Sequence, residues 1–176
     1  MSPLFFSGNI FRESQRFNQT PDITTLPESL SSLIKLQILK LERCYSLDRL
    51  TQHLTHLKDL RHVIIKRCTK LVAISPNIGK LKCLKRLSIF IVDLKSGFGL
   101  EELHDLQLGG NLQIRGLENI KTGLDARQAN FVGKKILNHV CFSLKRRNDN
   151  PDDTHAESVL KIPSRLLAVK YYLVEM

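Results

Sequence analysis

The sequence predicts an α/β solenoid: a curved parallel sheet with one short strand per repeat, and with loops and short helices on the convex side. Three observations carry this. A step of 24 residues joins Leu33, Leu36, Leu39, Leu41 and Cys44 to Leu57, Leu60, Val63, Ile65 and Cys68; it continues at Leu81, Leu84, Leu87 and Ile89, with Val92 in the cysteine position. The trailing half of each unit keeps the same step, so Ile23, Leu26 and Leu30 answer to Leu47, Leu50 and Leu54, and then to Leu71, Ile74 and Ile78. Just before the cysteine position the apolar spacing shortens to two, at Leu39 and Leu41, Val63 and Ile65, and Leu87 and Ile89, which is the alternation of a strand.

A period of roughly 20–29 residues with the pattern LxxLxLxxC is the signature of a leucine-rich repeat, whose units bury their apolar side only by stacking on their neighbours. Leu30, Leu33, Leu36 and Leu39 taken alone would suit an amphipathic helix, but the two-residue spacing that follows ends that reading. Strands are predicted over Ile38–Glu42, His62–Lys66 and Arg86–Ile91. Later units carry insertions: Leu112 and Ile114 lie 25 residues after Leu87 and Ile89, Val140 and Phe142 lie 28 further on, and Val169 and Tyr171 a further 29.

Between the fourth and fifth strands, Asp125–Val132 reads as a short helix capped by Asp125, with Ala126, Ala129, Phe131 and Val132 turned to the sheet; Gly133 leaves its end undefined. Arg146–Thr154 (RRNDNPDDT) reads as a charged surface loop, and a second helix over Thr154–Lys161 would stop at Pro163. Projecting the repeat backwards sets Phe17 opposite Leu41, but Gln15 opposite Leu39 and Arg12 opposite Leu36, so the first unit is a half-unit. The expected organisation is a degenerate, poorly ordered segment over 1–20, a repeat domain over 21–145, and a charged loop with a degenerate terminal repeat over 146–176.

Composition sets wider bounds. The 176 residues, 42% of them hydrophobic, suffice for one domain with a core spread along its length. A formal charge of +10 suits an acidic partner, but the lysines and arginines are scattered through every repeat, without the basic run or aromatic platform of a nucleic-acid module. The opening MSPLFFSGNIFRES has no basic leader, and no stretch approaches the roughly 18 apolar residues of a membrane span. A cytoplasmic or nucleocytoplasmic protein without a membrane partner is expected. Cys44, Cys68, Cys83 and Cys141 form no CxxC pair, and the first two are explained by repeat position. The Asn18-Gln19-Thr20 sequon, in a chain without a leader, is read as chance.

Catalytic, cofactor and metal sites are not expected. His53-x-x-His56 has metal-pair spacing and lies near His62, Cys44 and Cys68, but it flanks the convex Leu54 while the cysteines sit in the internal ladder. Carboxylates are dispersed, and no serine lies in a GxSxG turn. Gly79-Lys80-Leu81 lacks the spacing and hydroxyl of a phosphate loop, and Gly97-Phe98-Gly99 lacks the third glycine of a dinucleotide loop.

Binding is left, and alternation locates it. Residues between the inward leucines face outward from the sheet: Ile38, Lys40 and Glu42; His62, Ile64 and Lys66; Arg86, Ser88 and Phe90; Asn111, Gln113 and Arg115. The candidate partner face comprises Lys40, Glu42, His62, Ile64, Lys66, Arg86, Ser88, Phe90, Gln113 and Arg115, and its mixture of basic and apolar groups suits a protein surface better than a small-molecule pocket.

The stretch ITTLPESL from Ile23, LSSLIKLQILKLERC, LKDLRHVIIKRC, LKCLKRLSIFIVDLKSGFGLEELHDLQLGGNLQIRGLENI and LDARQANFVGKKIL together resemble the leucine-rich-repeat region of plant nucleotide-binding leucine-rich-repeat (NLR) disease resistance proteins of the coiled-coil subclass. The match covers about residues 21–145, and the block from Phe90 to Leu137, with Gly109-Gly110 and DARQAN, is its most specific part. The resemblance implies a module that recognises a pathogen effector or a guarded host protein. It also implies a module that restrains a nucleotide-binding domain in its resting state. Such a domain, with its GxxxxGK[ST] loop, is not in this chain, and the repeats run off after Ser164, so a truncated piece of a longer receptor is expected. A freestanding basic repeat scaffold or a nucleic-acid-binding protein is the alternative. An extracellular receptor would show asparagine and GxIP where Cys44 is followed by YSLDRL, and a ubiquitin-ligase adaptor would need a preceding F-box.

Overall fold

The computed structural model describes residues 14–18, 23–120, 127–144 and 170–175. Among these residues eight strands run in parallel: β1 (Ser14–Asn18), β2 (Ile38–Glu42), β3 (His62–Lys66), β4 (Arg86–Leu87), β5 (Ile89–Ile91), β6 (Gly110–Arg115), β7 (Leu137–Leu144) and β8 (Lys170–Glu175). They form two four-stranded ladders, β1-β2-β3-β4 and β5-β6-β7-β8, which meet within the single extended segment Arg86–Ile91. Stacked parallel strands joined by crossovers are what a 24-residue unit requires, since parallel neighbours cannot be linked by a tight turn.

The strands β2 and β3 have the predicted bounds, and their register repeats the sequence step: Leu39 lies opposite Val63 and Leu41 opposite Ile65. The half-unit pairs as projected, with Gln15 opposite Leu39 and Phe17 opposite Leu41, so part of the segment expected to be poorly ordered is a strand. Within these strands burial alternates, with Leu39, Leu41, Val63 and Ile65 almost fully enclosed. The trailing ladder of Leu26, Leu50 and Leu30, Leu54, Ile74, Ile78 is buried as well. Burial of these aliphatic side chains contributes roughly 1.5–3 kcal/mol each, and a solenoid collects it only between adjacent units.

On the convex side the chain turns through short 3-10 helices, among them Glu28–Ser32, Gln52–His56 and Ile78–Lys80, each closed by a leucine: Leu33, Leu57 and Leu81. On the return limb Thr25, Arg49 and Ala73 bridge in parallel, again 24 apart. Cys44 and Cys68 cap the strands from inside, their thiols donating to the carbonyls of Phe17 (3.6 Å) and Leu41 (3.9 Å) in the preceding unit. Asn119 does the same across an equal separation of 27 residues, its Nδ2 donating to the Val92 carbonyl at 2.9 Å.

Two register expectations are corrected. β5 pairs Ile89 with Gln113 and Phe90 with Ile114, one residue out of step with the predicted alignment of Ile89 on Ile114. Val140 lies opposite Tyr171 and Phe142 opposite Leu173, so the last insertion is two residues longer than read from Val169. The 28-residue step from Leu112 and Ile114 to Val140 and Phe142 holds. Of the DARQAN segment, Arg127 and Gln128 are helical, and Ala129 and Phe131 are buried beneath the sheet, with Phe131 edge-on to Phe142 at 6.3 Å. Asp125, Ala126, the loop 146–154 and the helix predicted over Thr154–Lys161 lie outside the described residues.

Candidate functional site: the strand face

The outward row of the strands is set by register. In the first ladder Ile38 stands beside His62 and His62 beside Arg86; Lys40 stands beside Ile64; Glu42 stands beside Lys66. Lys66 and Arg86 are exposed, and Lys40, Glu42, His62 and Ile64 are half-buried. In the second ladder Gln113 and Arg115 of β6 are half-buried beside Cys141 and Ser143 of β7. Nine of the ten predicted face residues therefore keep at least part of their side chain in solvent, the exception being Phe90.

Phe90 is fully buried. Between Leu87, which pairs with Val63, and Phe90, which pairs with Ile114, the chain carries two residues where the earlier units have one. An extra residue in a strand turns every later side chain to the opposite face, so Phe90 points into the core and Ile89 and Ile91 take the row of Gln113 and Arg115. Ser88 remains half-buried, but its hydroxyl is committed: it accepts from Ile65 N at 2.7 Å and donates to Ile65 O at 3.0 Å. It has no free hydrogen-bonding role toward a partner beyond the second lone pair.

Charge on this face is uneven. The ion pairs among the described residues, Lys35 with Asp59, Arg49 with Asp48, Lys82 with Asp105 and His104 with Asp105, all lie off the strands. Lys40, Lys66, Arg86 and Arg115 make none there. The pKa of His62 is lowered first by burial and then by Arg86, Arg61 and Lys40, which favours the neutral ring; its Nδ1 is buried without a hydrogen-bond partner among the described residues. Arg115 donates from Nη2 to Gln113 Oε1 at 3.3 Å, while its Nε is buried and unpartnered. Gln113 in turn donates to Ser143 Oγ at 2.9 Å.

Several residues in register with this row were not anticipated, of which Ile89, Ile91 and Ser143 are buried and Cys141 and His139 half-buried. Ser143, Cys141 and His139 follow from the alternation around Val140 and Phe142, so the signal was in the sequence. Ile89 and Ile91 follow only from the extra residue at Ser88, which the 24-residue pattern conceals. Off the face, His53 and His56 stack obliquely at 5.3 Å on a convex turn, and no three His, Cys, Asp or Glu side chains among the described residues converge as metal ligands. Among those residues no helix is long and apolar enough to cross a membrane.

Residues 100–168 match a family model described as R13L1/DRL21 LRRs. The chain is 39% identical over 121 residues to RGA4 of Solanum bulbocastanum, a stretch that covers 69% of this chain and 12% of that protein. It is 37% identical over 99 residues to RGA2 of the same plant, which covers 53% of this chain and 10% of the relative. Both relatives are described as disease resistance proteins, and the chain spans about a tenth of their length. With its parallel one-strand units and these relatives, the chain belongs to the leucine-rich-repeat regions of plant NLR disease resistance proteins.

Proposed function

We propose that this chain is a recognition module for plant defence that acts by binding proteins and performs no chemistry of its own. The observation that carries this reading is the strand face: rows of half-exposed polar and apolar side chains on β2, β3 and β6, held at fixed spacing by a buried ladder. Such a surface is rigid because neighbouring units constrain each strand, and rigid surfaces bind without a large ordering cost. Its ligands are a pathogen effector or a guarded host protein, and a nucleotide-binding domain that it holds in the resting state. The compartment of such contacts is the cytoplasm, extending to the nucleus.

Co-expression of the chain with a nucleotide-binding domain from an RGA-type relative, followed by affinity capture, tests the autoinhibitory half. Retention of that domain by the wild-type chain, and its loss when Lys40, His62 and Lys66 are together replaced by glutamate, is the expected result. Equal retention by wild type and triple variant would remove the strand face from the proposal, and no retention at all would remove the contact.

A further inference from the structure

The strand face has a chemical preference that the reading above, on which this inference rests, does not specify. Arg115 closes β6 and stands between Ile91 and Ser143 in register. Burial pulls its pKa below the ordinary arginine value, yet the guanidinium stays charged at neutral pH, and its Nε has no acceptor among the described residues. A half-buried cation whose one side-chain hydrogen bond among the described residues is to a neutral amide is incompletely compensated, and a carboxylate is the acceptor that its planar fork fits. At the other end of β6, the Arg86 side chain lies over Gly110: a Cβ there would stand 3.0 Å from Arg86 Nε and 3.1 Å from Nη2. The backbone of Gly110, with φ +77, admits the arginine across the unit boundary.

The two arginines thus stand toward opposite ends of one strand, whose backbone rises about 16 Å over the five residue steps from Gly110 to Arg115. Exposed Lys66 adds positive charge on the adjacent ladder, and Ile64 offers an apolar contact beside Lys40. We propose that the strand face takes an extended acidic polypeptide segment, with one carboxylate on Arg115, a second near Arg86, and an apolar side chain toward Ile64. A polypeptide fits better than a nucleic acid for two reasons on the molecule. The cations are separated by apolar positions and do not line a continuous groove. With Phe90 in the core, the central strand presents no ring on which a base could stack.

Fluorescence anisotropy with the full chain tests this, using a labelled extended peptide that carries glutamates at positions i and i+4 and leucine between them at i+2, so that alternation sets all three on one face. The same peptide with glutamines, and a single-stranded oligonucleotide of equal charge, serve as competitors. The glutamate peptide should bind, the glutamine peptide should bind at least about tenfold more weakly, and Arg115→Gln should cost about tenfold while Arg115→Lys recovers part of the loss. A circular-dichroism melt of each variant separates misfolding from lost contact, and Arg86→Gln, on an exposed side chain, provides a second variant with little structural risk. Equal binding of the two peptides, tighter binding of the oligonucleotide, or indifference to both arginine variants would overturn the acidic-segment inference. If the peptide fails while the nucleotide-binding domain is still captured, only this inference falls; if both fail, the recognition reading falls with it.

Discussion

The Ser88 side chain takes the place of a backbone rung on Ile65: one hydroxyl receives the Ile65 amide at 2.7 Å and returns its own proton to the Ile65 carbonyl at 3.0 Å. The two parallel ladders part at this residue, because β4 ends at Leu87 and β5 begins at Ile89. Without the hydroxyl, both polar groups of Ile65 would face the break unpaired. A single serine thus lets the chain insert one residue, turn Phe90 inward and still satisfy the edge of β3.

Ser88→Ala should therefore destabilise the chain by about 2 kcal/mol, the sum of two part-buried hydrogen bonds with stranded partners. Urea denaturation followed by circular dichroism measures it, and amide exchange at Ile65 should accelerate more than exchange at Leu39. A loss below about 0.5 kcal/mol would mean that water replaces the hydroxyl without penalty.

The residue two places after the inward strand position adopts a left-handed backbone in three units, at Arg43 (φ 56), Arg67 (φ 55) and Gly116 (φ 77). Arginine tolerates this at a cost of about 1 kcal/mol, which glycine avoids. At Gly116 a Cβ would lie 2.3 Å from the Val92 carbonyl oxygen, so there glycine is obligatory. Arg43→Gly and Arg67→Gly should be neutral or stabilising by up to about 1 kcal/mol, while Gly116→Ala should cost more than about 2 kcal/mol. Thermal melts of the three variants check the contrast. Equal losses at all three would show that the arginine side chains contribute packing that outweighs backbone strain.

Cys68 and Asn119 both reach a carbonyl 27 residues earlier, but from different places in the unit: Cys68 stands three residues after the inward Ile65, Asn119 five after the inward Ile114. Cys68→Asn should remain within about 1 kcal/mol of the parent, because the amide supplies a stronger donor of modest size. Cys68→Leu should cost about 1–3 kcal/mol, from overpacking a site that is 2% exposed and from losing the thiol's bond to the Leu41 carbonyl. Denaturation midpoints decide it: a leucine variant as stable as the asparagine variant would make the site a purely apolar one.

What the sequence disclosed follows from what periodicity can encode. Leu39, Leu41, Val63 and Ile65 fall on the predicted strands because each must be buried at a fixed step. The face residues Lys40, His62, Ile64 and Arg115 were legible for the same reason, being the complement of the buried set. Phe90 was misplaced because Leu87, Ile89 and Ile91 are all apolar, so alternation looks unbroken whichever of Ile89 and Phe90 points inward; only the Ser88 contact to Ile65 decides. Arg115 was legible as a face residue but not as an unpaired one, since pairing depends on neighbours from other units. Lys134 gave no signal, because nothing in a lysine's local sequence distinguishes a buried ammonium from a solvated one.

Lys134 is 1% exposed, and its Nζ donates to the His104 carbonyl at 3.0 Å in the preceding unit. Burial lowers its pKa from 10.5 to about 8, with the charge of Asp105 opposing the shift. The folded pKa is depressed, so between about 8 and 10.5 the unfolded chain binds more protons than the folded one, and stability rises with pH through that window. Below it both states are protonated and the full cost of the buried charge is present, on the order of 2–3 kcal/mol. Lys134→Met should remove most of that cost at pH 7, less about 1 kcal/mol for the orphaned His104 carbonyl, giving a net gain of about 1–2 kcal/mol. It should also flatten the rise between pH 8 and 10 that the parent shows. Urea midpoints of both proteins at pH 7, 8, 9 and 10 measure the two effects together. Parallel curves for parent and variant would falsify the assignment of the slope to this lysine.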